Sequence, residues 1–225
     1  MATKRKSVSS AARIAPPELP DAVPNQWGAD RRLEEGELYS DLVISDQDFS
    51  GQSASRVEIR RVRITNVKAV AAVLRFSRLI DVRFDHCDLA NADLYGATLN
   101  RIEIIDCRMT GVRLNSSEIA DAAIENGKLD LAQFRSSKFK DCRFVACDLR
   151  EADFYEAKLA GVTFSGCDLR GAQLYGADLK GTDFRGSQLE GLQLRAEDLS
   201  GAIIDSVQLV ALAGDFASLL GLKVL

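Results

Sequence analysis

The sequence has little of what most enzymes and membrane proteins are built from. Among 225 residues there is one histidine, His86, and one tryptophan, and aromatic residues make up only 7%. No GxSxG, HExxH or phosphate-loop pattern occurs, and a single histidine leaves little room for zinc or triad chemistry. Long apolar runs are also missing, so neither a signal peptide nor a membrane span is expected. The five cysteines, Cys87, Cys107, Cys142, Cys147 and Cys167, contain no CxxC pair. Catalytic, cofactor-binding and metal-binding residues are therefore expected to be absent, and no cofactor is called for.

Proline is missing after Pro24. All four prolines, Pro16, Pro17, Pro20 and Pro24, fall in the first thirty-two residues beside the basic run Lys4, Arg5 and Lys6. Residues 1–32 are read as a largely disordered arm, with Trp27 able to dock on the fold. Its six basic and three acidic residues leave +3, so residues 33–225 carry −7 of the chain's net −4. A mildly acidic body makes direct nucleic-acid binding by the folded part unexpected.

What is present is a period. From Ile59 to Leu209 every fifth residue is apolar, thirty-one times without an insertion, and all but Ala69 are large. Ile44 and Phe49 extend the phase toward the N-terminus. Five residues suit neither a helix, which turns about 100° per residue, nor a strand, which alternates faces. Two places before each large residue the side chain is small or apolar (Cys87, Ala92, Ala97, Ile102). Each unit thus reads in, out, in, followed by a two-residue corner where glycine recurs (Gly161, Gly166, Gly171).

If each corner turns the chain through a quarter circle, four units close a coil of twenty residues. Sorting the large residues at that interval tests the idea. One column reads Ile64, Phe84, Ile104, Ile124, Phe144, Phe164, Phe184, Ile204; another reads Ala69, Leu89, Met109, Leu129, Leu149, Leu169, Leu189, Leu209. Like stacks on like, as a solenoid requires.

The tandem units ANADLYGATL and CDLRGAQLYGADLKGTDF resemble those of the pentapeptide-repeat family, over about Ile44 to Leu209. The resemblance implies an all-β fold, a right-handed quadrilateral β-helix. Counted from Ile44, roughly eight coils make a rod about 40 Å long at the ordinary inter-strand spacing. Residues 33–209 are assigned to the β-helix and 210–225 to a C-terminal cap. After Leu209 a short α-helix is expected from about Asp215 as N-cap to Gly221, presenting Phe216, Leu219, Leu220 and Leu222. In quinolone-resistance members of the family a similar apolar helix pairs two rods, so these four residues are candidates for a homodimer interface.

The outward positions supply one unusual column: Arg75, Tyr95, Asn115, Arg135, Tyr155, Tyr175, Arg195. Tyrosine and arginine are enriched at binding hot spots, which makes Tyr95, Arg135, Tyr155, Tyr175 and Arg195 candidates for contact with a partner. An aromatic ladder that merely stabilises the coils is the alternative. Tyr155 and Tyr175 are expected to stack. The cysteines, all at the tight inward position, read as packing residues of a protein in a reducing compartment, the cytoplasm. Most aspartates precede the large residue and are expected to accept N–H groups of the adjacent corner. His86 falls at a corner and is expected to be solvated.

Two classes of function remain. One is a non-catalytic scaffold presenting a rigid mixed-charge surface to a protein partner. The other, implied by the resemblance, is imitation of duplex DNA in the binding saddle of DNA gyrase or another type II topoisomerase, modulating quinolone or toxin sensitivity. Dense negative charge would be needed for that. Summed by face from Glu58 to Leu209, the outward residues give only about −2, −1, +1 and +1.

Overall fold

The computed structural model describes residues 14–20, 27, 28, 32–219 and 221–223. Seven strands form one parallel sheet in chain order: β1 (Leu38–Ser45), β2 (Glu58–Thr65), β3 (Arg78–Asp85), β4 (Thr98–Ile105), β5 (Glu118–Glu125), β6 (Lys138–Val145) and β7 (Thr163–Ser165). Their register is twenty residues throughout, with Ile44 opposite Ile64, Ile64 opposite Phe84 and Phe84 opposite Ile104. The chain is a parallel β-solenoid, and every fourth large residue stacks on its predecessor. The named strands mark about six turns, fewer than the eight expected. Past β7 the pairing continues only as single bridges, such as Lys158 to Asp178 and Asp183 to Ile203.

The corners explain the period. The second residue after the large one has a positive φ in almost every unit, from Asp41 (φ 55) to Gly191 (φ 71). This left-handed step restores parity after each in–out–in segment. For residues other than glycine it costs roughly 1–2 kcal/mol, less for Asn and Asp. Coil-to-coil hydrogen bonds offset it: the corner N–H groups of Asp46, Asn66, His86 and Asp106 donate to carbonyls one turn on, at 3.0–3.1 Å. Where three-residue strands were expected on each side, β1 to β6 run eight residues through a corner and join two sides.

The inward residues form one continuous core. In its C-terminal half phenylalanine rings stack at the coil spacing: Phe144 to Phe164 at 5.0 Å, Phe164 to Phe184 at 5.2 Å and Phe134 to Phe154 at 4.9 Å, with interplanar angles of 6–15°. The N-terminal half is mostly aliphatic. There a narrow apolar cavity of about 50 Å³ runs along the axis between residues such as Ile64, Leu74, Leu94 and Leu114.

Both ends are covered. Trp27 is buried against Tyr39 (5.1 Å) and Phe49 (5.2 Å), closing the first coil. At the other end the repeat stops earlier than its spacing suggests. Leu199 belongs to a 3₁₀ turn (Ala196–Leu199), and Leu209 lies half-exposed on α1 (Ser206–Ala211), which α2 (Ala213–Leu219) follows. The expected helix is α2, starting at Ala213 with Asp215 in its first turn and not as N-cap, and a further helix, α1, capped by Asp205, precedes it. Asp205 accepts the N–H groups of Val207 and Gln208, both at 2.9 Å, and Gln208 Oε1 accepts the Asp205 N–H. This capping box was hidden because Leu209 kept the five-residue spacing. Buried Gln208 also donates from Nε2 to the Phe184 and Ser187 carbonyls, each at 2.7 Å. Asp215, in the first turn of α2, accepts the Gly191 N–H at 3.4 Å.

Candidate interaction surface

The surface is built from side chains that mostly satisfy one another. Where aspartate precedes the large residue, it accepts the N–H two places on: Ser50 to Asp48 at 2.8 Å, Tyr95 to Asp93 at 3.1 Å and Tyr155 to Asp153 at 3.0 Å. If that following residue is arginine, its guanidinium forks back onto the same carboxylate, as in Arg150–Asp148, Arg170–Asp168 and Arg185–Asp183. Hydrogen bonds from these arginines hold the three carboxyls below the usual carboxylate range. Along the axis opposite charges also meet at twenty-residue intervals: Asp41 with Arg61, Asp81 with Arg101, Glu118 with Lys138. The exposed pairs, Asp41–Arg61 and Glu118–Lys138, contribute little stability, whereas Asp81 is buried beneath Arg101. The consequence of all these pairs is a surface with its charge largely neutralised in place.

The tyrosine–arginine column stands out from this background. Tyr95, Tyr155 and Tyr175 are each about two-fifths exposed (42%, 38% and 38%). Arg135 lies over the Tyr155 ring, its Cζ 4.9 Å from the centroid, and also meets Asp153 at 2.7 Å. Arg195 is tied to Asp198 at 2.8 Å, and Arg75 to Asp93 at 2.7 Å. Tyr155 and Tyr175 occupy adjacent coils, the Glu156 N–H donating to the Tyr175 carbonyl at 2.9 Å. Among the described residues, however, no ring contact joins them; the arginine stacks on Tyr155 instead. The sequence reading also missed Phe76, a half-exposed corner residue packed edge-on against Tyr95 at 5.6 Å. Facing Gly96, Phe76 fills the place a Cβ would take, 2.7 Å from its ring. The spacing contained the signal, an aromatic at a corner one coil before a glycine.

The remaining candidates are placed as follows. His86 is exposed, with Nδ1 2.6 Å from Asp85 Oδ1 and Nε2 3.7 Å from Asp106 Oδ2. These three form the one group of at least three potential metal ligands among the described residues. Arg83 meets Asp85 at 3.0 Å and Asn126 donates to Asp106 at 3.0 Å, so both carboxylates already have donors. All five cysteines are buried free thiols, and burial pushes Cys142 up to about 12. Of the expected dimer residues, Leu222 is exposed; the side chains of Phe216 and Leu219, on α2, and all of Leu220 lie outside the described residues. Val207, Leu209 and Val210 on α1 add exposed apolar surface at the same end. No helix among the described residues is long and apolar enough to cross a membrane. Part of the arm read as largely disordered, residues 14–20, lies along the coils, with hydrogen bonds to Asp81 and Asp121. Residues 1–13 lie outside the described residues.

The twenty-residue coils and their repeating corners define a class, and comparison with known families agrees. The model of the pentapeptide repeat region matches residues 77–139 and 118–194. The chain belongs to the pentapeptide-repeat family. Among solved structures it is similar to a trypsin-treated variant of QnrB1, a plasmid-mediated fluoroquinolone resistance protein, with 25% identity, 87% of this chain and 94% of that chain covered, and a TM-score of 0.44. It is also similar to HetL of the cyanobacterium Nostoc, a pentapeptide repeat protein involved in heterocyst differentiation regulation (19% identity, 79% and 93% covered, TM-score 0.42). No curated protein matches the chain.

Proposed function

We propose that this chain is a non-catalytic protein-interaction scaffold of the cytoplasm, a rod that offers Tyr95, Arg135, Tyr155, Tyr175 and Arg195 to a protein partner. The observation that carries this reading is the partial exposure of three tyrosines on one side of a backbone hydrogen-bonded from coil to coil. A tyrosine held this way has little conformational freedom left to lose on binding. The apolar end formed by Val207, Leu209 and Val210, with Phe216, Leu219, Leu220 and Leu222 following in sequence, supports pairing of two rods through their C-termini. Replacing Tyr155 and Tyr175 by alanine tests the scaffold: captured proteins should fall away while the thermal melt stays in place. Unchanged capture would assign these tyrosines to coil stability alone.

Occupation of the DNA-binding surface of DNA gyrase or another type II topoisomerase is the second reading. It draws on the family resemblance and on coils uninterrupted from Leu38 to Ile204. The paired surface charge works against it. A supercoiling assay with and without quinolone separates the two, and no effect at micromolar protein removes the topoisomerase reading.

A further inference from the structure

The segment 14–20 and the face beneath it fit each other in a way the solenoid itself does not need. Ala15 donates its main-chain N–H to Asp121 Oδ1 at 3.1 Å and Glu18 to Asp81 Oδ1 at 2.9 Å. Three residues of extended chain span about 10 Å; two coils rise about as far. An extended segment laid along the axis therefore brings an N–H to every second corner carboxylate. Between the two donors lie Pro16 and Pro17, which have no N–H to leave unpaired and favour the extended form. Arg101, on the coil between, forks onto Asp81 with Nε and one terminal nitrogen, both at 2.5 Å, and orients the carboxylate.

The outward residues beneath the segment carry the second observation. Ile80 and Ala120 stand beside Asp81 and Asp121 at outward positions whose counterparts are Arg60 before the Asp81–Arg101–Asp121 track, Asn100 within it and Lys140 after it. Ala123 stands where the neighbouring coils carry Arg83, Glu103 and Arg143. Ala123 is only 3% exposed although it points away from the core. Apolar side chains thus appear at both ends of the track, on the two coils whose carboxylates hold the segment. Its own grip is light. Pro20 is buried, Ile14, Ala15, Pro17 and Leu19 are half-buried, and Pro16 and Glu18 are exposed. Two hydrogen bonds and a few apolar contacts contribute only a few kcal/mol.

We propose that the corner track Asp81–Arg101–Asp121 is a binding site for extended, proline-containing peptide segments, and that residues 14–20 are its intramolecular occupant. A segment of the same chemistry from another polypeptide, with two N–H groups flanking a proline pair and apolar side chains beside them, takes the site when the strap is released. This lies on a different corner of the rod from the tyrosine–arginine column and does not depend on the scaffold reading.

The test uses full-length protein and a fluorescein-labelled peptide of residues 12–22. Replacing both donors in the strap (Ala15→Pro, Glu18→Pro) removes its hydrogen bonds and leaves the solenoid untouched. By anisotropy, the peptide should bind this variant at least about tenfold more tightly than the unsubstituted protein, where the strap competes. Adding Asp81→Ala and Asp121→Ala, which removes both acceptors, should reverse the gain. Equal affinity for both proteins overturns the proposal. So does the lack of saturable binding to the released variant up to about 1 mM, the effective concentration a short tether supplies. A second measurement needs no substitution: hydrogen exchange should show the Ala15 and Glu18 amides protected in the unsubstituted chain, and unprotected rates there also overturn the proposal.

Discussion

The two halves of the rod share one period and solve it differently. From Asp41 to Glu156 the corners carry Asp, Asn, Arg, Ser and other residues with side chains at φ between 51 and 60, with glycine only at Gly51, Gly96 and Gly111; from Gly161 to Gly191 every corner is glycine. Strands run eight residues through a corner in the first half. In the second, that same corner closes as a tight turn at Gly161 and Gly181, the Val162 N–H donating to Leu159 at 2.9 Å and the Thr182 N–H to Leu179 at 3.0 Å, as the other corners do in both halves (Ala92 N–H to Leu89 at 3.0 Å). The core changes earlier along the rod, aliphatic around an axial void as far as Leu114 and carrying stacked phenylalanine from Phe134 onward. The fold tolerates both because its hydrogen bonds run between coils. Local conformation is then free to follow the corner residue, provided each coil rises by the same step.

Substitutions in the two cores should separate the halves most strongly. Phe164→Ala removes a ring stacked between Phe144 and Phe184 and should cost about 3–5 kcal/mol in urea unfolding; Leu94→Ala, beside an existing void, should cost about 2–3 kcal/mol. Equal losses would mean that the void does not loosen the first half. Corners come next. Gly181, at φ 75 with no contact closer than 3.9 Å to an added Cβ, should lose about 1–2 kcal/mol on replacement by alanine, from backbone strain alone. The reverse change, Ala146→Gly at φ 51, should raise the midpoint by no more than about 1 kcal/mol, since relief of strain is partly offset by glycine's chain entropy. A loss there would show that first-half corners are adapted to their side chains.

The smallest effect is expected from mild acid. For Asp81, burial alone would raise the carboxyl, but Arg101 and the Glu18 N–H outweigh it and hold it below the ordinary value, and the Arg170 hydrogen bond acts likewise on Asp168. A depressed folded-state value means the unfolded chain binds protons first, so stability rises with pH across that window. The contribution is complete above about pH 4, the ordinary carboxylate value, and is lost as pH falls through the folded-state values. Unfolding midpoints should therefore be nearly equal at pH 7 and 5 and fall below about pH 4. Second-half Asp–Arg forks predict a shared onset with Asp81 in the first half.

The solenoid was legible because a period of five leaves no other account of Phe144, Phe164 and Phe184 at twenty-residue intervals. Its end was not. Leu209 satisfied the spacing while Asp205 and Gln208 formed a cap, and one chain position can serve both patterns until contacts decide between them. The strap was hidden for another reason: Asp81 and Asp121 fall in one line, with Ile80 and Ala120 beside them, only after β3, β4 and β5 stack in register. Within the tyrosine–arginine column, spacing located Tyr155 and Arg135 on one line of the surface. It could not reveal that Arg135 would lie on the Tyr155 ring, because that depends on side-chain rotamers.

Gln208 bears on a question of size. A stack of identical coils has no intrinsic length, since the carbonyls facing out of its last layer match the amides facing out of any first layer, and head-to-tail addition would go on without closure. The Cys167 carbonyl accepts the Gln188 N–H of the following coil; its counterpart, the Ser187 carbonyl, is taken instead by the Gln208 side chain, which thereby uses a valence through which a further coil would add and also bonds the Phe184 carbonyl. The finite rod is thus set by a terminator, much as a chain-growth reaction is ended by a capping monomer.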